Sequence, residues 1–365
     1  MPSVIAPPGA PHTQFSPPPI KSFSLSSPAK SMNINSLDSK PLTVDELMRL
    51  RCQLTPDQAI VSYPSSGINY VDYTPRQLDV FAYRAAEQYA LRIPQRKSSD
   101  EKPLVIGLLG PSNLDYLITF LALSKLGHTV LFLSTRISKE AYLSLLNATD
   151  SRNLVIHSSF RDMATKLQGD LPSLRVDELV GEQTYHYALG SAGIDTRMSQ
   201  DFNFETESKH IAWIIHSSGS TGLPKPILQT HKAAVNNYAT NMDMRGFITL
   251  PLYHAHGLSS FFRAISSGKQ IHLYNASLPL AKQHIIEIMR NNRFEIFYGV
   301  PYALKLLAES TEGIELLASC KIVMFGGSSC PDSLGDKLVE NGVNLVSHFG
   351  TYVPYTIHPF GRPSC

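Results

Sequence analysis

His216 to Lys225, His-Ser-Ser-Gly-Ser-Thr-Gly-Leu-Pro-Lys, is the part of this chain whose residue types and spacing most directly imply chemistry. Ser217, Ser218, Gly219, Ser220, Thr221 and Gly222 supply hydroxyls and sterically open backbone, and Lys225 supplies a cation. Glycines let a backbone approach a ligand closely, successive N–H groups form a nest for anions, and an ammonium neutralises negative charge. The apolar run 211–215 in front of the loop reads as a buried strand. A strand opening into such a loop suits a polyphosphate, so the loop is expected to hold ATP. The common P-loop does not fit, because it needs Gly-Lys-Ser/Thr opening a helix. Here Leu223 and Pro224 separate Gly222 from Lys225, and Pro226 follows. Both prolines lack an N–H donor. Helical pattern resumes only at Thr230, a suitable N-cap.

Ser217 to Lys225 resembles the phosphate loop of AMP-forming adenylating enzymes: acyl-CoA synthetases, aryl-acid ligases and nonribosomal-peptide-synthetase adenylation domains. Pro226 stands where that family usually has glycine, a variant similar to fungal synthetase-like reductases. Other family stations follow in order. Tyr70 to Leu78 resembles an early Thr-Tyr-x-Glu-Leu element running into an amphipathic helix through Ala90. Leu123 to Val130 resembles a Leu-Lys-Ala-Gly-Ala-Tyr-Val segment, a helix stopped by a glycine and followed by a strand. The resemblance covers about Leu42 to Gly350. It implies ATP-dependent activation of a carboxylic acid to an acyl-adenylate, with ATP and Mg²⁺ as cofactors and a CoA or phosphopantetheine thiol as acceptor.

Pro251 to Gly257, Pro-Leu-Tyr-His-Ala-His-Gly, resembles the strand-to-helix turn that borders the acyl pocket, which makes Tyr253, His254 and Gly257 pocket candidates. Amino-acid-activating relatives carry Asp where His254 stands. An imidazole supplies no fixed negative charge for an α-ammonium. The expected acid is therefore aryl or acyl without an α-amino group, with Lys225 and His254 as the catalytic candidates. His-x-His could instead suggest a metal, but no Cys or carboxylate cluster accompanies it, so no metal site is expected. Gly326, Gly327 and Ser328 follow the apolar strand 321–324 and match the small residues against which adenine and acyl groups slide. Gly-Gly-Ser-Ser also opens an amidase signature, but Cys330-Pro331-Asp332 replaces its further glycines. Tyr298, Gly299 and Val300 complete the expected pocket.

After Phe349-Gly350-Thr351 the family pattern stops. Thr351 is the last nucleotide-binding candidate; relatives continue with Thr-Glu, where this chain has Tyr352 and Val353. Valine offers no oxygen to a hard cation. The abrupt end of the match reads as a truncated or frame-shifted product, without the ribose-binding Asp and C-terminal lysine domain the resemblance implies. Impaired catalysis is the expectation, and a non-catalytic nucleotide- or acyl-binding remnant is the alternative.

From Leu42 onward helical and strand patterns alternate: strand 105–109, helix 115–126, strand 130–133, helix 139–147, strand 154–157. That is an α/β fold of stacked, mostly parallel sheets flanked by helices, the large N-terminal domain of the adenylating-enzyme fold, incomplete at its C-terminus. Expected boundaries are a Pro/Ser-rich disordered leader over 1–40, the adenylation domain over 41–350 and a tail over 351–365. No acidic residue precedes Asp38, yet no arginine precedes Arg49, so import is not expected. The net charge of +2 favours neither nucleic acid nor acidic partners. Four scattered cysteines lack metal or redox spacing and are read as thiols of a cytoplasmic protein. The apolar stretch 117–133 contains Lys125 and His128 and is read as helix plus strand, with no membrane span.

Overall fold

Many of the strands are short apolar runs, such as Val105–Leu109 and Thr129–Leu133, and several of the helices between them carry their own start signal. A computed structural model describes residues 33–34, 37, 40–187, 196, 198, 200–217 and 222–348. Among them a seven-stranded sheet runs Leu345–Ser347, Ile322–Phe325, Ile296–Gly299, Gly246–Ile248, Ile271–Leu273, Val61–Ser66, Asn69–Tyr73. A six-stranded sheet runs Arg175–Glu178, Asn153–Ile156, Val105–Leu109, Thr129–Leu133, Ile211–His216, Pro226–Thr230. Every neighbouring pair is parallel except one hairpin at an edge of each sheet. All of these elements belong to a single unit, residues 31–365.

Helix starts follow the side chains that can take up free N–H groups. Thr74 accepts from the Gln77 amide, and Gln77 returns a bond to the Thr74 amide, with Pro75 pre-set at the first helical position of Pro75–Ala90. Asn113 and Ser138 cap Leu114–Lys125 and Lys139–Ala148 in the same way. The expected elements over 105–157 thus appear within a residue or two of their expected ends. Several strands were not anticipated, among them the one that follows the 217–225 loop. Pro226–Thr230 pairs antiparallel with Ile211–His216, and its leading proline is tolerated because it begins an edge strand.

Alternation along the strands sets the layers, since successive side chains face opposite sides of a sheet. Ile248, Tyr298 and Met324 point into one core shared with Leu108, Val130 and Phe132 of the other sheet. Phe81, Leu117 and Phe262 from the helices Pro75–Ala90, Leu114–Lys125 and Ala255–Ser267 fill that shared layer. The alternate residues Phe247, Phe297 and Val323 face a second core, and Leu109, Leu131 and Leu133 a third. The order is helix, sheet, helix, sheet, helix. Trp213, the one tryptophan of the chain, lies in the middle layer, its ring centroid 5.4 Å from Phe262 and 5.9 Å from Tyr238, both near-parallel. Burying a ring of this size stabilises the fold by about 3 kcal/mol.

Arg96 is buried beneath the start of strand Thr129–Leu133. Its guanidinium donates to Glu207 at 2.7 and 3.1 Å and to the carbonyls of Glu101 and Gly127 at 2.8 and 2.7 Å. Both side chains of the pair are nearly inaccessible, at 3% and 5% exposure. Cys52, Cys320 and Cys330 are free thiols. No helix of the described residues is long and apolar enough to cross a membrane. Of the expected leader over 1–40, residues 33, 34, 37 and 40 are described, with Ile34 buried, and the rest lie outside the described residues, as does the expected tail over 351–365.

Candidate functional site

In parallel α/β sheets ligands bind beyond the carboxyl ends of the strands. Four of the motifs singled out in the sequence sit at such an end: Ser217 follows Ile211–His216, the turn 251–254 follows Gly246–Ile248, Val300 follows Ile296–Gly299, and Gly326 follows Ile322–Phe325. Backbone bonds continue past the strand ends and hold these turns side by side. Thr249 donates to the Tyr298 carbonyl at 3.0 Å, Gly326 to Gly299 at 3.2 Å and His348 to Phe325 at 2.7 Å.

The 217–225 loop caps a hairpin. Ser217 donates its N–H to the Lys225 carbonyl at 3.0 Å, and the Lys225 N–H donates to Ser217 Oγ at 2.9 Å. These two bonds close the ends of the loop before the strand Pro226–Thr230 leads on to Thr230, which caps helix His231–Ala239 by accepting from the Ala233 amide. Lys225 is exposed. Gly222 has φ of +147°, a conformation that side chains rarely adopt. Ser218, Gly219, Ser220 and Thr221 lie outside the described residues, as does Thr351.

His216 ties this loop to the next strand. Its Nε2 accepts the Ser134 N–H at 3.1 Å, which leaves Nδ1 to carry the proton and donate to the Ser217 carbonyl at 2.8 Å. The ring is therefore neutral, in agreement with a pKa that burial lowers. One residue on, Thr135 Oγ1 meets Tyr253 OH at 3.0 Å. Sequence reading assigned no role to Ser134 or Thr135. The available signal was their place: polar residues directly after the all-buried strand Thr129–Leu133, at its carboxyl end.

The turn 251–254 is fixed by Ser112 Oγ, which accepts the Leu252 N–H at 2.8 Å. Tyr253 is buried, and its ring lies edge-on to His254 at 4.8 Å. His254 opens helix Ala255–Ser267 from the N-cap position and faces solvent. Surrounding protein, then His216 and Arg136, lower its pKa to about 4. Because the ring keeps contact with solvent, water screens part of that effect. No carboxylate contributes. Gly257 is explained by packing: a Cβ there would stand 2.3 Å from the Pro251 carbonyl oxygen and 3.1 Å from that of Leu250. Gly257→Ala is expected to lower stability by about 1–3 kcal/mol through overpacking, despite the better helix propensity of alanine. Denaturant titration checks this; an unchanged midpoint would refute it.

The remaining candidates form the adjoining wall. Tyr298 and Gly299 are buried, Val300 caps helix Pro301–Leu307, and Gly326 is buried while Gly327 and Ser328 are exposed. A Cβ on Gly326 would stand 2.8 Å from the His348 carbonyl oxygen and 3.0 Å from His256 Nδ1, so only glycine fits that slot. His256 was not among the expected site residues. It packs edge-on against His348 at 4.6 Å and Tyr298 at 6.0 Å between ring centroids. Neither of its ring nitrogens has a hydrogen-bond partner. Tyr302, in the helix Pro301–Leu307 that follows, is 58% exposed. Among the described residues no group of three His, Cys, Asp or Glu could hold a metal ion.

Comparison with known proteins agrees with this architecture. A model of the AMP-binding enzyme family matches residues 51–351, and the chain belongs to that family. Its members are acid-activating, adenylate-forming and ATP-dependent, and include acyl- and aryl-CoA ligases and nonribosomal-peptide-synthetase adenylation domains. The chain is 31% identical over 277 residues to a non-ribosomal peptide synthetase of Acremonium egyptiacum, across 71% of this chain and 25% of the relative. It is 25% identical over 297 residues to an adenylate-forming reductase of Stachybotrys bisbyi, across 78% and 28%. The chain thus spans about a quarter of the length of these relatives. Among solved structures, the inhibitor-bound N-terminal domain of FACL13 from Mycobacterium tuberculosis superposes with a TM-score of 0.68 at 20% identity, covering 85% of this chain and 76% of that one. This likeness supports the fold, the large N-terminal domain of adenylating enzymes.

Proposed function

We propose that the chain binds ATP on the 217–225 loop and joins it to a carboxylic acid without an α-amino group, giving an acyl-adenylate destined for a CoA or carrier-protein thiol. The observation that carries this reading is the closed hairpin base formed by Ser217 and Lys225, which holds an exposed lysine beside a Ser/Thr/Gly loop at the carboxyl end of a parallel strand. In the reaction a carboxylate oxygen bonds to the α-phosphorus and the bond to the β-phosphate oxygen breaks, releasing pyrophosphate. The protein has no covalent step to perform; positioning and charge neutralisation suffice. Lys225 neutralises phosphate charge, and Gly326, Gly327, Ser328 and Thr351 line the nucleotide. Tyr253, His254, Gly257, Tyr298, Gly299 and Val300 border the acid.

The charged neighbours of His254 support a substrate without an ammonium group. They reduce to the Arg136 guanidinium, since the other titratable neighbour, His216, is neutral, so an α-ammonium would find no counter-charge among the described residues and would face a guanidinium. Mg²⁺ normally serves this reaction as a charge clamp. The described residues hold no carboxylate set for it, and Val353 stands where the resemblance expects a glutamate, so no step is routed through the metal. That valine also favours a second reading, a nucleotide- or acyl-binding protein without turnover.

ATP–pyrophosphate exchange with a panel of aryl and fatty acids decides between them. Exchange by the wild type that falls roughly 100-fold or more in Lys225→Ala is the expected result. Saturable ATP binding with no exchange from any acid would establish the second reading. Strong preference for α-amino acids would sink the argument from His254.

A further inference from the structure

The phosphate loop and the acid turn follow strands of different sheets, yet a short run of residues joins them. The strands Thr129–Leu133 and Ile211–His216 pair at Val130 with Trp213 and at Leu131 with Ile214. Past that register His216 links them through its side chain. Its Nε2 accepts the N–H of Ser134 at 3.1 Å, and its Nδ1 donates to the carbonyl of Ser217, the first residue of the loop, at 2.8 Å. Ser134 is buried, so its amide needs such a partner. An apolar ring in place of the imidazole would fill the space and make neither bond.

The next residue carries the link to the other sheet. Thr135 Oγ1 meets Tyr253 OH at 3.0 Å, and Tyr253 is buried in the turn that follows Gly246–Ile248. The 134–136 turn is itself held, since Tyr142 OH donates to the Ser134 carbonyl at 2.7 Å and the Arg136 N–H donates to Ser134 Oγ at 3.3 Å. A displacement of Ser217 therefore reaches Tyr253 through His216, Ser134 and Thr135, with no gap wider than a hydrogen bond. Ser112 also holds the acid turn, but from the end of Val105–Leu109, a strand that does not border Ile211–His216. Turns joined by single side-chain bonds, rather than by a sheet ladder, can shift relative to each other. A ligand that orders one then biases the other.

We propose that Thr135 is a positioning residue that couples the nucleotide half of the site to the acid half, so that ATP on the 217–225 loop orders the 251–257 turn before any acid arrives. This rests on the reading that the loop binds ATP. The hydroxyl of Thr135, and not its bulk, is the coupling group, because it is the atom that meets Tyr253. Linkage makes the effect reciprocal: an acid seated on the ordered turn tightens the binding of ATP.

Hydrogen–deuterium exchange of the full chain, read on the peptide covering 251–258, tests this with ATP alone and no acid. In the wild type, saturating ATP should slow exchange there by roughly fivefold or more beyond any slowing in the strand Ile271–Leu273, which measures global opening. Thr135→Val should abolish that excess while ATP still binds within about threefold of its wild-type affinity. Thr135→Ser, which keeps the hydroxyl, should retain it. Tyr253→Phe removes the same bond from the other end and decides the matter should Thr135→Val not fold. A purely structural threonine would leave the excess intact in every variant. No effect on 251–258 in wild type that binds ATP, protection that survives Thr135→Val, or its loss in Thr135→Ser as well overturns the proposal and leaves nucleotide binding standing. Failure of ATP to bind overturns the reading of the loop, and the proposal with it.

Discussion

Glu207→Ala is expected to destabilise the fold by about 3–5 kcal/mol, with no change at any site residue. The reason is the position of Arg96. Its guanidinium is buried and bound by Glu207 through two bonds, with the carbonyls of Glu101, Gly127, Ser98 and Ser99 as further acceptors. The ring of Phe202 lies 4.9 Å from the same guanidinium. Removing the carboxylate leaves a buried cation whose remaining neighbours, carbonyl dipoles and one aromatic face, cannot replace a full negative charge. Truncating one member of a buried pair is far more harmful than replacing both with apolar residues of similar volume. The double variant Arg96→Met, Glu207→Leu should therefore be more stable than Glu207→Ala. Denaturant midpoints for wild type, single and double variants settle this. A single variant within about 1 kcal/mol of wild type would show that Arg96 escapes to water and that the pair contributes little.

Acidification from pH 7 to pH 5 is the second large effect. His128 and His231 are buried, and each accepts a backbone N–H on Nδ1: from Leu104 at 3.4 Å and from Val44 at 3.3 Å. Protonation would destroy that acceptor. Burial lowers the pKa of both rings to about 4, with Arg96 adding to the effect. His216 follows the same logic through Ser134. The sign follows from linkage. A histidine whose folded pKa lies below its unfolded value near 6.5 binds more protons when unfolded. Its stabilising contribution is full above about pH 6.5, declines as pH falls, and is gone once pH passes the folded value near 4. Between pH 7 and pH 5, His128 and His231 should cost on the order of 2 kcal/mol each. The thermal midpoint followed by circular dichroism should drop by on the order of 5 °C. A midpoint that stays level to pH 5 and falls only below pH 4, where carboxylates titrate, would refute the assignment.

Local rules made most of the scaffold legible. Caps such as Thr74, the glycine after Leu126, and apolar runs at strand length define elements without reference to anything distant. The hairpin partner Pro226–Thr230 was missed because its leading proline argues against a strand, and only a place at the sheet edge tolerates it. The candidate site divides the same way. Contiguous motifs such as 217–225 and 251–257 announce themselves through unusual residue density. Ser134 and Thr135 do not, because their role comes from the neighbouring strand that brings them to His216 and Tyr253. His256 was visible as a residue, but its unpaired state belongs to the packed structure and to no spacing in the chain.

Trp213 gives the molecule a built-in optical probe. It is the chain's single indole, three positions before His216 on the strand that delivers the 217–225 loop. Its excited state is shielded from water and lies within contact of the Tyr238 and Phe262 rings. Emission from the folded protein therefore comes from one place and starts blue-shifted. Any movement of the loop strong enough to pull on its strand is reported by that one fluorophore, so occupancy of the site can be followed without a label and without turnover.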